Sequence, residues 1–241
     1  MTKSSRTLHY CHVPKTGGTS LHSLSRRFAP LKVYGHDYDP TTIKGSTVIV
    51  IREPTDRFSS AYRYNLQENK SVYYNNLPYL NILDLLAGGV TTPNDFIECI
   101  LDSSHPQHRA AQVTLRNIDR FVKEPDGTLH TEEYRHNIGG AGLKWRYEFT
   151  PQSEWFCEPT YVILFENYEE EMHELFEHMG FPPLVIPKLN TTKEDIEFSF
   201  SQDSLSWLKD VYSKDYEIYN KFKAMSLDER LHRNGRKTKD D

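Results

Sequence analysis

Apolar positions along the first third of the chain change period in a readable order. The run TLHYCHV (7–13) predicts a short buried strand. In SLHSLSRRFA (20–29) the apolar residues fall at 21, 24 and 28, a helical spacing, and Thr19 or Ser20 is its natural N-cap. KVYG (32–35) predicts a second short strand. STVIVI (46–51) is a continuous, mostly β-branched run, which implies burial on both faces, as in a parallel sheet covered by helices. TDRFSSAYRYNLQ (55–67) follows as a helix with Pro54 at its start. Strand, loop, helix, strand, strand, helix predicts an α/β, doubly wound parallel sheet flanked by helices.

The pattern weakens between 68 and 150, where a long excursion is expected to carry recognition of an acceptor. Within it DLLAGG (84–89) predicts a helix end stopped by glycine, and TPNDFIECILD (92–102) a capped helix. The polar, Gly-rich KEPDGTLHTEEYRHNIGGAGLKW (123–145) is expected to be irregular. Strand character returns in TYVILFENY (160–168), and YEEEMHELFEHMG (168–180) predicts an amphipathic helix closed by Gly180. SLSWLKDVYSKDYEIYNKF (204–222) predicts one last amphipathic helix, with aromatics at 207, 212, 216 and 219. The ends, about 1–6 and 233–241, are expected to fray. No repeat and no linker interrupts the chain, so one domain spanning 1–241 is expected.

Composition narrows the function classes. A formal net charge of −5 argues against a general nucleic-acid binder while leaving room for a local basic pocket. No apolar run is long enough for a transmembrane span, and the N-terminus lacks a signal-peptide core, so a soluble, cytoplasmic chain is expected. Cys11, Cys99 and Cys157 show no CxxC spacing, which fits free thiols rather than a zinc site. The sequons at Asn69 and Asn190 are read as chance matches in the absence of a leader.

Chemistry concentrates in two places. In CHVPKTGGTSLHSL (11–24), Gly17 and Gly18 allow a tight turn and close backbone approach, Thr19 and Ser20 fall in the first turn of a helix, and Lys15 adds a full charge. Free N–H groups and the positive end of the helix dipole favour an anion there, which makes Lys15, Thr16, Gly17, Gly18, Thr19 and Ser20 a candidate phosphate cradle. It is not the GxxxxGK[ST] loop of the ATPases, because the lysine precedes the glycines. In VIVIREPTDRFSSAY (48–62), Arg52 stands at the carboxyl end of the best strand, where ligands of open parallel sheets bind. Arg57 and Ser60 lie three apart on the following helix, and Arg52 with Ser60 forms a candidate grip for a second phosphate.

Together these stretches resemble the sulfotransferases. PKTGGTSL is similar to their 5′-phosphosulfate loop, and VIREPTDRFSSAY to their 3′-phosphate strand and helix, R-x-P-x-x-R-x-x-S-x-Y. TPQSEWFCEPTYVILFENYEEEMHEL resembles the P-Q-S segment of the Golgi carbohydrate sulfotransferases, and LKDVYSKDYEIYNKF their terminal Y-x-x-D-Y-x-x-F helix. The resemblance implies a P-loop-NTPase-like fold. It also implies a donor, 3′-phosphoadenosine-5′-phosphosulfate (PAPS), that leaves as adenosine 3′,5′-bisphosphate (PAP), and a step that needs no metal. Carried over, Lys15 through Ser20 hold the 5′ side, Arg52 and Ser60 hold the 3′-phosphate, and Lys15 stabilises the bridging oxygen. Relatives place a His or Glu base between the two motifs. Here that interval reads KVYGHDYD, which nominates His36, with Asp37, Asp39 and Glu148 as alternatives. The acceptor implied is a glycan or polysaccharide, with a tyrosyl-peptide or small-molecule hydroxyl as the alternatives. The His-Trp pair often found before P-Q-S is replaced by Glu148-Phe149, and the membrane anchor typical of that group is not expected here. The competing classes are a small-molecule kinase using Mg-ATP and a non-catalytic nucleotide-binding relative.

Overall fold

The computed structural model describes residues 7–35, 42–71, 85–115, 118–123, 129–133, 137–138, 141–142, 148–156, 158–187, 189 and 198–232. Its centre is a four-stranded parallel sheet made of β1 (Leu8–Cys11), β2 (Leu31–Tyr34), β3 (Ser46–Ile51) and a strand from much later in the chain, Tyr161–Leu164. β2, β1, β3 and Tyr161–Leu164 lie side by side in that order. Register pairs Leu8 with both Leu31 and Ser46, and Ile51 with Leu164.

Strand alternation explains the continuous apolar run of β3. Val48 and Val50 join Leu8, Tyr10 and Ile163 on one face, under Leu21, Leu24, Met172, Leu175 and Phe176. Ile49 and Ile51 join Cys11, Val13 and Val162 on the other, against Trp155, Tyr219 and Phe222. Both faces are therefore covered, as the run required. The helices that cover them are α1 (Gly18–Ser25) and two later ones, Tyr168–His178 and Ser213–Lys223.

A second core lies among helices beside the sheet. It joins α2 (Pro54–Ser71), α3 (Pro93–Leu101) and α4 (His108–Leu115) to the later helix Gln202–Val211. Phe58 is its hub, ringed by Phe96, Phe149, Trp207 and Tyr212 at centroid distances of 5.4–6.2 Å. α3 opens with the expected capping box, in which Thr92 Oγ1 accepts from Asp95 N and Asp95 accepts from Thr92 N. The helix ahead of it closes at Gly89, whose φ of 81° is the left-handed stop that 84–89 predicted.

Three expectations are corrected. α1 starts at Gly18 with left-handed Gly17 as its N-cap, ahead of Thr19 and Ser20, because the tight turn already satisfies the helix entry. The 123–145 stretch is not wholly irregular. β4 (Ile118–Lys123) pairs antiparallel with β5 (Leu129–Glu133), and β6 (Asn137–Ile138) with β7 (Ala141–Gly142). The strand Tyr161–Leu164 is thus β8, followed by α5 (Tyr168–His178). The single last helix is in fact two, α6 (Gln202–Val211) and α7 (Ser213–Lys223), broken at Tyr212. Tyr212 donates its hydroxyl to Phe149 O at 2.6 Å, and this contact outweighs the continuous periodicity. A short α8 (Leu227–Leu231) follows. The tails 1–6 and 233–241 lie outside the described residues. Among the described residues no helix is long and apolar enough to cross a membrane.

Candidate functional site

The loop between β1 and α1 bends through two left-handed residues, Lys15 (φ 66°) and Gly17 (φ 82°). Glycine adopts that conformation freely and lysine does not, so something must hold Lys15. Arg52 does so, donating from its Nη1 to Lys15 O at 3.2 Å. Beneath the turn, Thr16 is fully buried and donates its hydroxyl back to Val13 O at 2.8 Å. Gly18 packs on the His12 ring so closely that a Cβ at position 18 would lie 1.9 Å from ring atoms. His12 itself stacks on Tyr10 at 5.8 Å, so its place is in packing behind the loop. The first turn of α1 has no acidic residue and no side-chain cap, and it keeps its positive end for an outside anion. Thr19 is exposed there, while buried Ser20 accepts from Leu189 N at 3.4 Å through its hydroxyl.

The second candidate sits at the end of β3. Because Ile51 is in register with Leu164, Arg52 and Phe165 leave the sheet side by side, and the guanidinium lies 4.3 Å over the Phe165 ring. Arg52 Nε donates to Asp56 Oδ2 at 2.6 Å. Its main chain is clasped by Gln152, whose Oε1 accepts from Arg52 N at 3.1 Å and whose Nε2 donates to Arg52 O at 2.8 Å. Gln152 is held in turn by α7. Asp215, fully buried, accepts from Gln152 N at 2.7 Å and Ser153 N at 2.8 Å. Burial pushes the Asp215 carboxyl up, while Arg57 and the two N–H groups pull it down.

Arg57 is a strut rather than a ligand. It is 1% exposed, donating from Nε to Pro14 O at 3.2 Å and from Nη2 to Thr150 O at 2.6 Å. Burial lowers its pKa, with Asp215, Tyr212 and Glu148 acting the other way. One buried cation thereby ties the β1–α1 loop to the P-Q-S segment. Ser60 is half-buried on α2, and one turn further on Tyr64 lies under the Lys15 ammonium, with Nζ 3.7 Å from the ring centroid.

The structure brings Lys15 and Arg52 into direct contact, the loop after β1 against the residue that ends the neighbouring β3; among the described residues it records no contact from Ser60 on α2 to either. His36, Asp37 and Asp39 lie outside the described residues. Glu148 is 6% exposed beside the Arg57 strut. His105 and His108 are used locally. His105 Nδ1 accepts from Gln107 N at 3.0 Å, and His108 Nδ1 donates to Cys99 O at 2.8 Å, which fastens the turn between α3 and α4. Sequence reasoning missed Tyr64, Gln152, Phe165 and Asp215 as parts of the site. The i, i+4 spacing from Ser60 was the available signal for Tyr64, and the shared strand end was the signal for Phe165.

A sequence-family model described as the sulfotransferase family matches residues 1–223. Searches of curated proteins and of solved structures return no match.

Proposed function

The chain belongs to the sulfotransferase family, and from that premise we propose that it moves a sulfuryl group from PAPS to a hydroxyl of a carbohydrate. The observation that carries the reading is the Arg52–Lys15 contact, which couples two anion-binding candidates at one sheet end. A donor with a 5′-phosphosulfate and a separate 3′-phosphate fits two such places. The residues suit it: an acid-free, uncapped helix start, a left-handed glycine in the loop and an arginine at the strand end. The carbohydrate acceptor rests on the likeness of the P-Q-S segment to that group.

The donor supplies the sulfuryl group already joined to a good leaving phosphate, and the chain's residues do the rest. The first N–H groups of α1 receive the 5′ side, and Arg52 and Ser60 receive the 3′-phosphate. Asp56 and the Lys15 carbonyl already fix the Arg52 fork, so little ordering remains to be done on binding. Lys15 directs its ammonium at the bridging oxygen, where negative charge grows as the bond breaks. His36 accepts the acceptor's hydroxyl proton, with Asp37, Asp39 and Glu148 next in line. Charge on the leaving group is met by lysine and helix end, so the reading gives the step no metal.

Calorimetric titration tests the donor class. Adenosine 3′,5′-bisphosphate is expected to bind without metal and far more tightly than ATP with magnesium. The reverse preference would replace this reading with the kinase. His36→Ala is expected to lower turnover by about 10²–10⁴-fold with bisphosphate affinity unchanged. Undiminished turnover would move the base to the carboxylates.

A further inference from the structure

Tyr64 is not used by the reading above, yet it touches that reading's central cation. Its ring centroid is 3.7 Å from Lys15 Nζ, well inside the range of a cation–π contact. Two further observations give the contact a direction. The Lys15 backbone is held left-handed at φ 66° with its carbonyl taken by Arg52, so the side chain leaves the loop along a fixed line. Tyr64 lies four residues after Ser60 on α2, so the ring shares a helix face with Ser60, a candidate for the second anion.

We infer that Tyr64 is a positioning residue for Lys15, an aromatic rest that holds the ammonium between the two anion sites before the donor arrives. The physical need is plain. A lysine stem has four rotatable carbons and loses much freedom when its head is fixed. A ring face attracts the ammonium through its quadrupole and adds no formal negative charge to it. The inference rests on the proposed role of Lys15 and adds to it a residue outside both sequence motifs.

The test separates the two. Lys15→Ala is measured first, for turnover and for binding of adenosine 3′,5′-bisphosphate; an unaffected turnover sinks the role of Lys15 and leaves the sulfotransferase assignment to other residues. With Lys15 shown to matter, Tyr64→Leu is expected to lower kcat by about 3- to 30-fold, the size of a cation–π contact converted to rate. The KM for donor should change little, and Tyr64→Phe should restore kcat. A graded series with fluorinated phenylalanines at 64 guards against a folding artefact, since shape hardly changes while the ring face loses electron density. The rate of acylation of Lys15 by an amine-directed reagent, followed by peptide mass without donor present, should rise along the same series. Stepwise loss of kcat with stepwise gain of labelling supports the rest. A flat series in both readouts overturns it, because packing alone is insensitive to ring electronics.

Discussion

At the scale of single residues, Gly18 shows how little slack the loop has. A methyl group there would need the His12 ring, which is itself stacked on Tyr10, to move by more than an ångström. Gly18→Ala is therefore expected to cost about 1–3 kcal/mol of stability through overpacking. It should also weaken bisphosphate binding, since the displaced backbone belongs to the proposed cradle. A melting temperature and a titration both unchanged from wild type would mean that His12 swings aside. The glycines, Lys15 and Arg52 were legible in the sequence because each is tied to a local backbone demand or a strand end. Tyr64 and Phe165 were not, since an aromatic on a helix face or after a strand reads equally well as core. Only the register of β3 with β8 puts Phe165 under Arg52.

At the scale of elements, α7 acts on the site through a carboxylate. Asp215 holds the two N–H groups that start the Gln152–Trp155 turn, and Gln152 holds the main chain of Arg52. In Asp215→Asn one amide N–H would face a backbone N–H, leaving a buried donor without an acceptor. The expected loss is about 1–3 kcal/mol, with weaker bisphosphate binding by relay through Gln152. Chemical denaturation and calorimetry on the same variant check both, and stability lost with affinity intact would confine Asp215 to the fold. The helix that carries it was legible only in part. Its apolar spacing runs unbroken through Tyr212, and the break there depends on Phe149 O, 63 residues away. The β4–β5 pair was missed for a different reason. Its strands do not alternate apolar and polar residues, and Asp126-Gly127 between them was the one hairpin signal on offer.

At the scale of the whole molecule, the chain's last described helix is clamped to the sheet by a buried ion pair. Arg230 meets Glu171 through both Nη atoms at 2.6 and 2.7 Å and also donates to Val162 O, while Glu171 accepts from Leu164 N. Arg230→Met leaves the Glu171 charge buried alone and should cost about 3–5 kcal/mol. Adding Glu171→Leu is expected to recover part of that, though Leu164 N and Val162 O stay unpaired. Urea midpoints for the two single variants and the double measure it; additive losses would mean that the pair is not coupled. The parallel sheet itself was legible chiefly from β3, because four consecutive β-branched residues, Val48 to Ile51, buried on both faces fit a strand with helices covering either side.

The strand order has a consequence in time. Thr47 and Thr160 exchange hydrogen bonds across 113 residues of sequence, and β8 completes the sheet beside β3 only there. A ribosome adding about 5–20 residues per second needs about 5–20 s to cover that distance. Throughout that interval the Val-Ile edge of β3 has emerged and its neighbour has not yet been made. Such an unpaired, apolar edge is the kind that recruits other nascent chains. Expression of this protein should thus depend on chaperone supply and growth temperature more steeply than the stability of the finished molecule would imply.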